Sequence, residues 1–340
     1  MIARHRAAMV AAFAMVAGLP LAAASASRPL PGDGERILGF DGLTYESAPL
    51  VITGNTEGDL FFGLDFDIAC SQGGAGFTKG MRRVARLANV IEASGRRAIF
   101  TVAPNKEAVH PQDLDMSALP QGQCNATAMK DQTRVLDTFP DRRYLPIRKT
   151  LAQDDRQVYW KTDLHWTTVG ASDWAMELAR SLDPKLAARQ KYKAGTQTYL
   201  GFLSRLLGGT TPETVPAVFP AGPVKVATSP DSLYPFKDPN GGLAFDYEWN
   251  SQPPHRTWPG HTLLVGDSFT LMGLINLRPL FRHGRYQWIG NVDAQDMAEA
   301  IAESDTIVIE VLQVFLTSTP IGLKSFRDLV RKELRHADHR

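Results

Sequence analysis

An excess of charge of either sign is missing from this chain: 37 Lys and Arg stand against 36 Asp and Glu, a formal net charge of +1. Electrostatics therefore gives no reason to expect nucleic acid or an anionic membrane surface as a partner. Cysteine is scarce, with Cys70 and Cys124 the only two, and the eight histidines are scattered. Outside His336-Ala-Asp-His339, which reads as a frayed polar terminus, no His, Cys or carboxylate grouping has metal-ligand spacing, so no metal is expected. There is no nucleotide or pantetheine fingerprint, hence no expected cofactor, and no internal repeat or low-complexity array.

What is present begins at the N-terminus. Arg4, His5 and Arg6 precede a small-apolar run from Ala7 to Leu19, Pro20 breaks it, and Ala24-Ser25-Ala26 supplies the small residues of a cleavage site. This is the three-part pattern of a secretory signal peptide over residues 1–26, with an uncleaved membrane anchor as the alternative. Export to the periplasm or beyond is expected. In an exported chain Cys70 and Cys124 tend to pair, whereas two buried thiols are the bland alternative.

The 340 residues suffice for one large domain or two small ones. Residues 27–340 read as one domain. Pro49-Leu-Val-Ile-Thr53 and the stretch after Gly58 predict short strands. Thr78 is placed to cap an amphipathic helix carrying Met81, Val84, Ala85, Ala88 and Ile91, with Gly95 at its end. Arg82, Arg83 and Arg86 fall mostly off that stripe and read as a solvated face. Ala98–Ala103 and Thr306–Val311 are apolar runs of the kind covered on both faces of a sheet. Further helices are expected near Ala126–Thr138, from Thr167 or Thr168 through Ala179, over Ala294–Ser304 and over Ser325–His336. Helix alternating with apolar strand predicts an α/β fold with a mostly parallel sheet flanked by helices. From about 185 to 259 repeated Pro and Gly suggest an insertion with small strands.

Two stretches carry chemistry. In Thr262-Leu-Leu-Val-Gly-Asp-Ser-Phe269 a buried strand runs through a tight turn into a helix whose first turn holds Ser268. A hydroxyl there lies beside the unpaired N–H groups of a helix start, which stabilise negative charge. Gly-Asp-Ser alone is also an ordinary turn with a helix cap. In Asp163-Leu-His165 two side chains spaced two apart share one face if the segment is extended. A serine hydroxyl needs a base within hydrogen-bond reach, and His165 is the best of the eight histidines because Asp163 can fix its tautomer. Asp267 reads as a turn or helix-start residue. Asn105 is a candidate oxyanion donor, Arg278 a candidate for substrate positioning, and Trp166 a candidate sugar-stacking face, each with a structural reading beside it.

Val102-Ala-Pro-Asn-Lys106, Lys161-Thr-Asp-Leu-His-Trp166 and Val265-Gly-Asp-Ser-Phe269, in this order, resemble the SGNH-hydrolase-like domain of the AlgJ/AlgX alginate O-acetyltransferase family. The resemblance covers roughly Pro49 to Leu316, and Asp-x-His-Trp is its most specific part. It implies that Ser268 is the nucleophile, His165 the base and Asp163 its orienting partner. It also implies action outside the cytoplasmic membrane on a polysaccharide acceptor, with acetyl supplied by a membrane partner. No C-terminal carbohydrate-binding module of the AlgX type is recognisable, so alginate itself is not implied. Transfer, hydrolysis by the same triad, and a noncatalytic polysaccharide-binding or assembly role remain open at this level.

Overall fold

The structure is a computed structural model that describes residues 51–119, 122–229, 246–289 and 293–338, with the short strand pairs Ile37–Leu38/Thr44–Tyr45 and Phe236–Lys237/Leu243–Ala244. The signal-peptide pattern at 1–26 lies outside the described residues. No helix among them is long and apolar enough to cross a membrane.

Along the chain, β1 (Val51–Thr53) and β2 (Leu60–Phe62) form a small antiparallel pair that leads into α1 (Gly63–Glu92) and β3 (Arg97–Ala103). Then come α2 (Gly122–Thr138), α3 (Thr168–Leu182), and the hairpin of β4 (Tyr192–Tyr199) with β5 (Glu213–Pro220). Strands β6 (Lys225–Ser229), β7 (Asp246–Gln252) and β8 (Trp258–Gly266) precede α4 (Ser268–Leu277). The chain continues through β9 (Phe281–Trp288), α5 (Ala294–Glu303), β10 (Thr306–Leu312) and α6 (Lys324–Ala337).

Six strands form the central sheet in the order β3-β10-β8-β9-β7-β6. The first four are mutually parallel, and β7 and β6 close one edge antiparallel. Strands β3, β8 and β10 carry near-continuous apolar runs because helices cover both their faces. Leu263, Val265, Ile307, Ile309, Ala98 and Phe100 pack against Met81, Val84 and Ile91 of α1, Met297 and Ile301 of α5, and Val330 of α6. Leu264, Val308 and Ile99 join Trp174 and Leu178 of α3 and Leu274 of α4 in the core on the other face.

The 185–259 stretch is less separate than its Pro and Gly content suggests. β4 and β5 do stand apart as a hairpin, but β6 and β7 belong to the central sheet. The buried–exposed alternation of β7, with Tyr247, Trp249 and Ser251 inward, is that of a half-buried strand. The cap expected at Thr78 is not there. Helix α1 starts fifteen residues earlier, kinks at Gly73 (φ 52°), and Thr78 Oγ1 donates back to the Gly74 carbonyl at 2.8 Å. An interior Thr makes such a bond as readily as it caps, which is why the two are hard to tell apart in sequence.

Cys70 of α1 and Cys124 of α2 are joined in a disulfide across a sequence separation of 54. Closing a loop of that length removes denatured-state entropy equivalent to about 4 kcal/mol in the chain-entropy model. Denaturant unfolding with and without reductant is expected to show a loss of that order, reproduced by the Cys70→Ser/Cys124→Ser variant.

Candidate active site

Strand β8 sits where the strand order reverses: its neighbour β9 follows on one side, and β10 returns to the other. Helices leaving adjacent strands to opposite faces open a crevice at the carboxyl ends, where α/β sheets bind ligands. Ser268 is the first residue of α4, directly at that point.

Its turn is held by carboxylates. Asp267 is the N-cap of α4; one oxygen accepts the Phe269 N–H at 3.0 Å and the other the Leu312 N–H of β10 at 2.7 Å. Glu310, in phase with Val308 and Leu312 on β10, accepts the Asp267 N–H at 3.1 Å and the Thr270 hydroxyl at 2.8 Å. Burial and then Asp267 push the Glu310 carboxyl well above its usual range, and burial raises Asp267 as well. Gly266 is required by space rather than by a left-handed backbone. A Cβ there would lie 2.0 Å from Thr270 Oγ1 and 2.9 Å from Glu310 Oε2.

His165 reaches Ser268 from a loop 103 residues earlier, its Nε2 2.7 Å from the Ser268 Oγ. Its Nδ1 is 2.6 Å from Asp163 Oδ1. In the neutral imidazole this network assigns the proton to Nδ1, donating to Asp163, and leaves Nε2 to accept from the serine hydroxyl. All three residues are fully buried. Burial alone would raise the Asp163 carboxyl, but the His165 ring and the N–H groups of Phe202 and His165 outweigh it and hold the group below its ordinary value.

The Asp163–His165 segment is not extended. Residues 158–167 fold back on themselves, with a bridge between Tyr159 and Trp166, the Trp160 N–H on the His165 carbonyl, and the Thr167 N–H on the Val158 carbonyl. Asp163 and His165 meet because the carboxylate also accepts the His165 backbone N–H at 3.0 Å, a local turn that brings i and i+2 together. Thr167 then caps α3 by accepting the Val169 N–H.

The other sequence candidates go elsewhere. Trp166 is buried against Trp174 and Phe269, ring centroids 5.1 and 4.9 Å away, so it offers no face to a sugar. Its indole N–H donates to the Phe269 carbonyl at 3.0 Å and ties the histidine loop to the serine helix. Arg278 caps the far end of α4, about 15 Å along the axis from Ser268 at 1.5 Å per residue, and its guanidinium turns back onto the Leu274 carbonyl. Asn105 follows the end of β3, buried, and one N–H of its side-chain amide donates to Glu107 Oε1 at 2.9 Å, which leaves its second N–H as a candidate donor. Arg82 and Arg86 line a surface cleft of about 530 Å³ with Arg134, Arg143 and Phe139, away from these residues.

Sequence reading missed a buried acidic pair beside Tyr159. Burial drives Glu107 up to about 7, and burial followed by Glu107 drives Asp65 well above its usual value. It also missed Lys106, whose ammonium is buried on Asp59, Leu60 and Lys161. Lys106 ends one of the quoted motifs, but nothing local in sequence shows that these groups are buried, because a partner tens of residues away defines each. Among the described residues no group of three or more His, Cys, Asp or Glu is placed to hold a metal.

The chain matches the family described as SGNH hydrolase-like domain, acetyltransferase AlgX, over residues 56–234. The chain belongs to this family. Its AlgX-type domain is accordingly an acetyltransferase-type domain, as the motif series implied. Among solved structures it is similar to Bacillus cereus PatB1, at 11% identity and a TM-score of 0.54 over 80% of this chain and 98% of that one. It is also similar to the O-acetyltransferase domain of Pseudomonas putida AlgJ (16% identity, TM-score 0.48, 84% of this chain and 99% of that one). Pseudomonas aeruginosa AlgX gives 15% identity and a TM-score of 0.47 over 82% of this chain and 66% of that one. A comparison with curated proteins gives no match.

The raised Glu107 pKa has a defined consequence for stability. A carboxyl whose folded pKa lies above its unfolded value keeps an extra proton in the native state. Its contribution is therefore complete below the ordinary value of 4.5 and is lost as pH rises through about 7. Glu107→Gln, which cannot ionise, is expected to gain stability relative to the wild type between pH 5 and pH 8, by up to about 3 kcal/mol. Paired thermal melts across that range check it; a constant difference contradicts it.

Proposed function

We propose that this chain is a serine-dependent O-acetyltransferase that moves acetyl groups onto hydroxyls of an extracytoplasmic polysaccharide. The observation that carries the reading is the unbroken contact from Asp163 through His165 to Ser268, at 2.6 and 2.7 Å, in a buried corner of an AlgX-type domain.

In this mechanism His165 Nε2 takes the Ser268 proton as Oγ attacks the donor's acetyl carbonyl. Asp163 stabilises the imidazolium that forms. The leaving group departs with the proton from His165, leaving an acetyl ester on Ser268. A sugar hydroxyl then gives its proton to His165, attacks the ester, and regenerates the serine. The tetrahedral oxyanion of each step needs a donor worth about 3 kcal/mol. Asp267 and Phe269 N–H groups are already engaged within the protein, so the proposed donor is the Ser268 N–H in the first turn of α4.

Membership of an acetyltransferase-type family supports transfer rather than hydrolysis. The Cys70–Cys124 disulfide supports an oxidising compartment, in keeping with the N-terminal signal pattern. The acetyl donor in this reading is a membrane acetyl-transfer partner, and no cofactor or metal is used.

Incubation with an acetyl donor, with and without oligosaccharide acceptors, tests the whole proposal. Acetylated glycan and an acetyl mass increment on Ser268 are the expected products; release of free acetate alone, with acceptor present, contradicts transfer. Ser268→Ala and His165→Ala are expected to lose at least about 10³-fold in turnover, and Asp163→Asn roughly 10²–10⁴-fold, with folding retained.

A further inference from the structure

The loop that carries Asp163 and His165 is gripped from outside by a residue with no marker in the sequence. Glu213 opens β5 of the hairpin. Its Oε1 accepts the Lys161 N–H at 3.1 Å and the Gln157 side-chain amide; its Oε2 accepts the Thr162 N–H at 3.0 Å and the Thr162 hydroxyl at 2.8 Å. A carboxylate has about four acceptor positions, and four donors, all from residues 157–162, take them up. None of these bonds goes to its own hairpin.

The same peptide is held from the opposite side. Lys106, buried at the end of the β3 segment, donates to the Lys161 carbonyl at 2.9 Å, to the Leu60 carbonyl at 3.0 Å and to Asp59 at 3.2 Å. The Lys161–Thr162 peptide therefore has its carbonyl against a cation and its N–H against an anion, an alignment that fixes the dipole in one orientation. The chain just after the hairpin's first strand adds a third hold. The Phe202 N–H donates to Asp163 Oδ2. Gly201 packs so closely that a Cβ would lie 2.1 Å from the Thr162 carbonyl oxygen.

We propose that Glu213 is a positioning residue for acetyl transfer, holding the 160–165 loop, against Lys106, so that Asp163 stays in contact with His165. It rests on the reading of Ser268, His165 and Asp163 given above. Asp163 follows the clamped peptide directly, so loosening 161–162 moves the carboxylate relative to the imidazole. A displacement near 1 Å at such a contact lowers turnover by roughly 100-fold. Glu213 touches neither the serine nor the histidine, so its effect is indirect. The charged and titratable groups facing this corner include Asp163 in the loop, Asp267 at the start of α4, Glu310 of β10, Lys106 after β3, Asp59 before β2, Tyr199 at the end of β4 and Arg205 just after it.

The test is the measurement of kcat and KM for an activated acetyl ester, p-nitrophenyl acetate, on the intact chain. Glu213→Ala is expected to lower kcat roughly 10–100-fold with KM within about twofold. Glu213→Gln, which keeps one carbonyl oxygen, falls between this variant and the wild type. Thr214→Ala, which removes only the Thr198–Thr214 hydroxyl contact of the same hairpin, keeps wild-type kcat and KM. A wild-type kcat in Glu213→Ala overturns the proposal, as does an equal loss in Thr214→Ala, which reports a hairpin that is merely structural. If Glu213→Ala does not fold, Glu213→Gln decides on kcat and KM. Ser268→Ala in the same assay separates the two levels: full turnover there overturns the nucleophile assignment, whatever Glu213 does.

Discussion

The contact on which the rest depends is the His165 imidazole held between two segments 103 residues apart, Nδ1 on Asp163 and Nε2 on Ser268. A ring with both nitrogens engaged is fixed in tautomer and in plane, so neither segment can shift without breaking a bond in a fully buried place. A lost partner there leaves an unsatisfied polar group, a penalty of roughly 1–3 kcal/mol. Much of the surrounding architecture keeps those two segments in register. The Trp166 indole spans from the histidine loop to the Phe269 carbonyl, and Asp267 binds the serine turn to the end of β10.

The sheet explains why the serine stands where it does. β8 lies inside the parallel run, flanked by β9 and β10, and the chain leaves it toward α4 on one face before returning through α5 on the other. The carboxyl end of such a strand is the one place where a helix start, an open crevice and a rigid floor coincide. The floor is polar as well as rigid. Glu310 accepts from both the Asp267 N–H and the Thr270 hydroxyl at the serine turn, and Gly266 is there because that packing leaves no room for a Cβ.

Burial shapes the electrostatics more than net charge does. The chain is nearly neutral overall, yet Glu107, Asp65, Glu310 and Asp267 are all raised by desolvation, whereas Asp163 alone among these buried acids is held low. The difference is partners. Asp163 faces an imidazole and two backbone N–H groups that favour its charged form, while Asp65 and Glu107 face each other. The role proposed for Asp163, stabilising a developing imidazolium, calls for the first environment.

Elements defined by their own residues were readable before any folding. The apolar runs of β3 and β10, the periodicity of α1, α5 and α6, and the Gly-Asp-Ser turn declare themselves through local pattern, and the ordered motif series pointed to the AlgX-type family that the chain joins. Local pattern misled where two structures share one signature. Thr78 could cap or back-bond, Asp-x-His could extend or turn, and a Pro-rich stretch could be an insertion or two strands of the main sheet. The pairings that make the site were decided only in three dimensions: Glu213 on Thr162, Lys106 on Lys161, Phe202 on Asp163, and the retreat of Trp166 and Arg278 from the crevice. Composition and periodicity record what a residue prefers as a neighbour. Which neighbour it obtains, across tens or hundreds of positions, is settled by the packing of the sheet and its helices.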